Sequence, residues 1–363
     1  MTVNELINII EKWAPPQYQE KYDNSGLQCG DPKQEINSAI ICLDCTEDVV
    51  NEAIEKNCKL IIAHHPIIFG GIQNITPQSY VGRTLLKAIK NNISIYACHT
   101  NLDNISTGVN AEIGRRIGLK NPKILSPKKG QLSKLIVYTP NDHAEKVLNA
   151  LFEAGAGRIG NYTECSFSQI GIGSFMPQNN SNAFVGEIGA RYNEKEQKIE
   201  VLIENPLAKK AIKSMLRAHP YEEVAYDLIP LSNSHSYIGS GMIGEIEKIK
   251  TVDFLACLKT TFNCSVIRHS NLCRKEIKRV AICGGSGSFL LPQAIRHNAD
   301  IYITSDFKYH EFFNAENNII IADIGHYETE QFTKDLIYSY LSQIFPTFAL
   351  HLSEINTNPI KYY

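Results

Sequence analysis

Three short apolar runs in this chain end in histidines and carboxylates, and that repeated ending narrows the folds open to it. Lys59-Leu60-Ile61-Ile62-Ala63 leads into His64-His65-Pro66, and Ile93-Ser94-Ile95-Tyr96-Ala97-Cys98 into His99-Thr100-Asn101-Leu102-Asp103. Ile319-Ile320-Ile321-Ala322 leads into Ile324-Gly325-His326-Tyr327-Glu328-Thr329-Glu330. Short, near-continuous aliphatic runs are the pattern of strands covered on both faces. A parallel sheet gathers ligands outside the carboxyl ends of its strands, so three such endings predict one site.

Phe332, Leu336, Ile337, Tyr340 and Leu341 follow the third ending at helical spacing, which makes 324–330 a strand-to-helix turn. A helix starting near Tyr327 puts His326 and Glu330 four residues apart on roughly one face. Taken alone, that pair reads as a solvated ion pair; its partners change the reading. Adjacent imidazoles at a strand end cost solvation, and Pro66 biases His65 towards extended backbone. Neighbouring strand residues point to opposite sides, so His64 and His65 are placed to serve two different ions. His64, His65, Asp103, His326 and Glu330 together form a mixed nitrogen and oxygen set suited to two divalent metal ions per subunit bridged by a carboxylate. Zinc is the first choice for such a set, with manganese and iron also compatible. The alternative is a structural site, which would fill every coordination position with protein ligands. His99 and His310 are the nearby candidates for proton transfer.

Along the chain, Ser38–Cys42, a helix capped by Thr46 and the 59–63 strand make a βαβ unit. A helix opened by Pro77 and another over 108–118 flank the third strand, and the alternation implies a parallel-rich α/β sheet. Lys278–Cys283 meets Gly284-Gly285-Ser286-Gly287 and then a helix, a turn whose amides could cradle an anion such as phosphate or simply make a tight connection. Asp300–Thr304 delivers Asp306 and His310. The two ends of the chain thus predict two similar α/β halves facing one another around the dinuclear site. Between them, 128–234 reads as strand, helix, two strands, helix, strand: Leu132–Tyr138, Asp142–Ala154, Ser166–Phe175, Lys198–Ile203, a helix from Pro206 and Val224–Ile229. That βαββαβ order is the ferredoxin-like pattern of a separate inserted domain, leaving 1–127 and 235–363 as a discontinuous core. His219 and Glu222 within it are explained as a capped turn around Pro220.

A formal net charge of −2 in 363 residues gives no overall drive towards nucleic acid. No stretch approaches the roughly 18 apolar residues that a membrane span needs. The opening residues Val3, Leu6, Ile7, Ile10 and Trp13 follow helical spacing rather than a secretory pattern. Ten cysteines in that setting predict free thiols and a cytoplasmic location. Cys42-Leu43-Asp44-Cys45 is a lone CxxC with no second pair to complete a zinc site.

Ile62-Ala63-His64-His65-Pro66 with Phe69-Gly70-Gly71, then His99 to Asp103, then Gly325 to Glu330, resemble the NIF-three-like family, also catalogued as GTP cyclohydrolase I type 2 homologs. Asp23-Asn24-Ser25-Gly26-Leu27-Gln28, Cys283-Gly284-Gly285-Ser286-Gly287 and Thr304-Ser305-Asp306 with Tyr309-His310 extend the resemblance in order along the whole chain. One departure is Ser305, where the family usually has glycine. Ala218-His219-Pro220-Tyr221-Glu222-Glu223-Val224 resembles the PII-like or CutA-like insert of the family's longer members. The resemblance implies a dinuclear metal site and a ring-shaped homohexamer. The function expected is metal-dependent hydrolysis of a nucleotide or another phosphate-bearing small molecule, with GTP cyclohydrolase-like chemistry suggested by the catalogue name. The alternative is a non-enzymatic oligomer that binds metal or ligand and regulates a partner.

Overall fold

The computed structural model describes all 363 residues, which divide into two compact units, 1–127 with 236–363, and 128–235. In the first unit, Ser38–Cys42, Leu60–Ala63 and Ser94–Ala97 are adjacent parallel strands, flanked by Ala349–Leu352 in parallel and by Gly26–Cys29 antiparallel. A second sheet repeats the plan. Glu276–Ser286, Ile301–Ser305 and Ile320–Asp323 run parallel, with Arg268–His269 antiparallel beyond the last of them. Ser234–Lys250 and Lys120–Lys129 complete its other side.

Side-chain alternation along these strands sets the layers. Ile41, Ile62 and Tyr96 from one sheet and Ile282, Ile303 and Ala322 from the other share one buried cluster. Their neighbours Ile40, Ile61 and Ile95 instead meet Val49, Val50, Leu85 and Ala88 of the helices Glu47–Glu55 and Tyr80–Lys90. Ala281 and Tyr302 pack with Leu291 and Ala294 of the helix Leu291–Arg296. Each sheet is therefore covered on both faces, as the continuous apolar runs required. The histidines and carboxylates of the three endings emerge where the strands Leu60–Ala63, Ser94–Ala97 and Ile320–Asp323 stop.

The structure defines three stretches more closely than the sequence does. The 120–129 stretch, rich in Pro and Lys, is a strand, and Pro122 and Pro127 are tolerated because it lies at the sheet edge. The helix expected from Pro77 begins at Tyr80, because Ser79 accepts the Gly82 N–H in its side chain at 3.0 Å and so caps it. Cys42 and Cys45 are buried thiols whose ionisation burial opposes, Cys45 being pushed up to about 12, which leaves the CxxC chemically quiet.

The 128–235 unit has a single antiparallel sheet of Leu132–Pro140, Ser166–Phe175, Tyr192–Glu204 and Tyr226–Leu231, in the spatial order second, third, first, fourth. Leu135, Val137, Ile199 and Val201 on one face bury Val147 and Leu151 of the helix Ala144–Glu153 and Ala211 and Met215 of Asn205–Ala218. His219 accepts the Tyr221 amide at 3.1 Å, and its other ring nitrogen lies 2.9 Å from the Tyr138 carbonyl. Burial holds its pKa below the ordinary value, which suits a neutral imidazole closing a turn.

Within the first unit Gly239 lies so close to Ser126 and Pro127 that a Cβ there would collide with them. The chain thus leaves and re-enters at neighbouring points. Joining Ser126 to His235 through a short turn is expected to leave a protein that melts cooperatively with the circular dichroism of a mixed α/β fold. A molten product without a cooperative transition would show that the first unit needs 127–234 to fold.

Candidate metal centre

The carboxyl ends of the parallel strands bring His64, His65, His99, Asp103, His326 and Glu330 together. Their ligand atoms fall into three groups, each with members within 4.8 Å of one another: His64 with His65 and His99, His65 with His326 and Glu330, and His64 with Asp103 and Glu330. All five residues expected as ligands are present, and His99 joins them.

The local backbone explains their placement. The amides of His64 and His65 donate to the Leu43 carbonyl at 3.1 and 3.0 Å, which continues the strand pairing for one more step and presents the two rings. After Ser94–Ala97, a single helical turn over Thr100–Asp103 carries Asp103 back beside His64, and its amide donates to His99 O at 3.1 Å. Gly325 has φ +100, a conformation that L side chains rarely adopt, and the short helix His326–Glu330 starts directly after it.

Every imidazole is anchored through Nδ1. His64 Nδ1 meets the Cys98 carbonyl at 2.8 Å, while His65, His99 and His326 meet Asp44, Asp23 and Asp306, each at 2.7 Å. With Nδ1–H donated outward, each ring turns Nε2 to the centre, the orientation that outer hydrogen bonds impose on metal-binding histidines. His64 Nε2 and Asp103 Oδ1 are buried 3.6 Å apart with no hydrogen-bond partner. Unsatisfied buried groups cost about 1–3 kcal/mol each, and a cation between these two would satisfy both. On this test the residues fit a metal ion.

Electrostatics agree. Burial, then the nearby Glu330 charge, pushes Asp103 up to about 7. Burial also opposes ionisation of Glu330, yet the His326 charge and its hydrogen bond hold that carboxyl well below the usual range. Burial works against charge on His65 and His326 as well. Asp44 and Glu330 outweigh it at His65, raised to about 10, and Glu330 and Asp306 outweigh it at His326, raised to about 11. In the protein alone, Glu330, Asp44 and Asp306 thus favour protons on His65 and His326, and a divalent cation is a chemical substitute for them.

Of the two readings open to the glycine turn, an anion cradle and a tight connection, the hydrogen bonds favour the second. Gly284 N–H donates to Asn110 Oδ1 and Gly285 N–H to Thr329 Oγ1, both at 3.0 Å, so two of the turn's amides are spent inside the fold. Ser286 is part of the strand, paired with Ser305, and Gly287 lies where a Cβ would collide with Thr304 and Tyr302. Gly285 instead allows close approach: at φ +60, a Cβ there would run into Glu330. Ser305 donates to the Gly285 carbonyl at 2.6 Å, helping to fix that turn. His310 is exposed on the 309–315 turn, its ring against Tyr309 and Phe313, and belongs to none of the three ligand groups. The residues that sequence reasoning missed are the anchors Asp44, Asp23 and Asp306. Asp23 and Asp306 stood in recognisable motifs, but only the fold pairs them with imidazoles.

Fold and site define a mixed α/β protein whose strand ends hold a buried His/Asp/Glu cluster that could bind a metal ion. The chain belongs to the Duf34/NIF3 (NGG1p interacting factor 3) family, whose model matches residues 1–359. A relative from Halalkalibacterium halodurans is 38% identical over 88% of this chain and 87% of its own length, and one from Bacillus subtilis 35% identical over 99% and 98%. Both are named "GTP cyclohydrolase 1 type 2 homolog". Among solved structures, a Bacillus cereus protein related to NIF3 is similar at TM-score 0.86 and 34% identity, covering 100% of this chain and 99% of that one. A Staphylococcus aureus protein is similar at TM-score 0.77 and 30% identity, with the same coverage. No helix is long and apolar enough to cross a membrane.

Two outcomes follow. Because His65 and His326 hold their protons through neutral pH, metal must displace them, and apparent affinity should rise with pH. Calorimetric titration of metal-free protein at neutral pH, in buffers of different ionisation enthalpy, should report release of roughly one to two protons; no release would contradict the charge balance. Gly285→Ala should push the Glu330 carboxylate aside and weaken metal retention by about tenfold or more with the fold intact, read by chelator competition beside a thermal melt.

Proposed function

We propose that the chain is a metal-dependent hydrolase with two divalent ions, acting on a nucleotide or another phosphate-bearing small molecule. The observation that carries this reading is the position of Glu330. Its Oε2 lies 2.9 Å from His65 Nε2 and 3.0 Å from His326 Nε2, while its Oε1 faces His64 Nε2 at 3.9 Å on the side of Asp103. One carboxylate thus belongs to two ligand groups and offers each a different oxygen, which would suit it to serve two dications. Zinc suits the mixed imidazole and carboxylate set, with manganese and iron as alternatives.

When bound, such ions supply Lewis-acid polarisation of a substrate oxygen and of water. His64, His65, His326, Asp103 and Glu330 would hold them. His99 is the residue for proton transfer: Asp23 takes its Nδ1, leaving Nε2 to accept a proton from water or return one to a leaving group. Asp23 is itself fixed by the Thr100 amide at 3.0 Å, by the Thr100 hydroxyl and by Ser25 Oγ at 3.1 Å. Phe69 packs against His99 in a T-shaped contact with ring centroids 5.9 Å apart. The relatives' name supports ring opening of a purine nucleotide as one candidate reaction of this class.

We read 128–235 as a ferredoxin-like insert, supported by its strand order and its separate core. That separate unit also favours a second reading, a ligand-responsive assembly without turnover. A homohexameric ring rests on family resemblance and is checked by light scattering at full metal loading. Screening metal-loaded protein against nucleotides and phosphoesters decides between the readings: turnover abolished in a ligand variant supports the hydrolase, whereas a conformational response without turnover supports the regulator.

The geometry also assigns unequal ligand roles. Glu330→Gln should empty or weaken both positions, because it degrades the shared ligand. His326→Ala should leave partial occupancy at the His64 position. Asp103 belongs to only one ligand group, so Asp103→Asn should act mainly there. Metal analysis per subunit reads all three; His326→Ala stripping both ions while Glu330→Gln strips neither would sink the bridging assignment.

A further inference from the structure

One segment reaches the site from a direction none of the ligands uses. After the strand Ala349–Leu352 the chain is fastened at Ser353 and Glu354: Ser353 N–H donates to Ile41 O at 2.9 Å, and Ser353 Oγ and Glu354 N–H donate to the two oxygens of Glu52 at 2.6 and 2.9 Å. Lys334 Nζ donates to the Ser353 carbonyl at 2.8 Å. Ile355 then packs against the cluster behind the first sheet. From this root the chain runs to the outer carboxylates of the centre. Thr357 Oγ1 donates to Asp44 Oδ2 at 2.6 Å, while Asp44 Oδ1 takes His65 Nδ1 at 2.7 Å. Asn358 Nδ2 donates to Glu328 Oε1 at 3.1 Å. Glu328 lies between His326 and Glu330 in the chain, with its carboxylate folded so closely over Gly325 that a Cβ there would collide with it. Asn358 is itself set by two local bonds, its amide to Asn356 Oδ1 at 2.9 Å and its Oδ1 from the Ile360 amide at 3.0 Å.

We propose that Ser353–Asn358 is a strap that positions the His65–His326–Glu330 side of the metal centre, with Thr357 and Asn358 as its positioning residues. The physical reason is rotational. A carboxylate held at one oxygen can swing about its Cβ–Cγ bond and carry its imidazole partner with it; held at both oxygens, its plane is fixed, and so is the ring that donates to it. Asp44 receives its second anchor from Thr357. Asn358 donates to Glu328 on the short helix that carries His326 and Glu330, and so ties that helix to the strap. The His64–Asp103 side receives no bond from the strap, because His64 is anchored by a backbone carbonyl. The strap therefore biases one metal position over the other. This inference rests on the metal reading of the site.

The test alters the tip of the strap and leaves its root intact, in the full-length chain. Thr357→Val keeps the shape and removes the hydroxyl, Thr357→Ser restores it, Asn358→Ala removes the second contact, and Asp44→Ala is the positive control. Zinc-loaded proteins are challenged with a chelating dye. Thr357→Val should release one zinc equivalent about 5–10-fold faster than wild type and leave the other unchanged, short of the roughly 10–100-fold cost of losing a direct outer partner such as Asp44. Thr357→Ser should behave as wild type. In metal-free protein, the His65 Nδ1 proton, followed by nitrogen-edited nuclear magnetic resonance, should exchange with water several-fold faster in Thr357→Val, with the thermal melt unchanged. Wild-type release kinetics in Thr357→Val and Asn358→Ala beside accelerated release in Asp44→Ala would overturn the strap. If wild type retains no zinc, the metal reading fails, and the His65 proton still decides whether the strap fixes that ring.

Discussion

The centre depends on one repeated hydrogen bond, the donation of an imidazole Nδ1–H to an acceptor fixed in the outer shell. Three of the four acceptors are aspartates and the fourth is the Cys98 carbonyl. An imidazole without that bond can rotate and present either nitrogen; with it, one nitrogen is committed to the centre. Asp44, Cys98 and Asp306 stand just past the carboxyl ends of parallel strands, and Asp23 lies in the loop before Gly26–Cys29, so most of the site's chemistry is set by sheet topology. The apolar strands need covering on both faces, and what their ends can carry is thereby concentrated at one edge.

That chain of dependence explains how much was legible in the sequence. Strands such as Leu60–Ala63 and Ile301–Ser305 were readable because burial on both faces leaves an unbroken aliphatic run, and the ligands were readable because each stands just past such a run. The anchors were not, since their direction is a matter of backbone and partner rather than residue type. Asp306 is the clearest case: it sits at φ +60, and only from that left-handed conformation is its carboxylate seen meeting His326. The glycine turn misled for a related reason. Open amides at 284–287 look available for phosphate until Asn110 and Thr329, both far away in sequence, are seen to occupy two of them. Lys120–Lys129 was opaque because its prolines forbid a central strand while permitting an edge one.

Glu330 shows how close packing and charge are combined at one residue. The carboxylate is buried, which alone would neutralise it, and it stays ionised because two imidazolium groups face it. Gly285 makes room for it, Ser305 and Thr304 both donate to the Gly285 carbonyl, and Thr329 on the same short helix accepts the Gly285 amide. The turn is thus tied through the Gly285 amide to the ligand helix and through the Gly285 carbonyl to the strand Ile301–Ser305. Glycine serves here because a side chain would occupy the carboxylate's place.

The two similar sheets give the site a folding consequence. Three imidazoles and Asp103 come from the first, while His326 and Glu330 come from the second, and the His65–Glu330 contact spans 265 residues of chain. Two of the three ligand groups therefore do not exist until both halves of the first unit have docked. Contacts of such separation carry a loop-closure cost that must be met before they contribute anything. The intervening 128–235 unit lowers that cost in a specific way: it has its own core, and the chain leaves and returns beside Ser126 and Gly239, so once folded it acts as a short connection rather than a long flexible loop. A cation that binds only the docked arrangement adds its binding free energy to the native state alone. Were such a cation bound, its binding and the docking of the two halves would be coupled, with Glu330 as the shared residue.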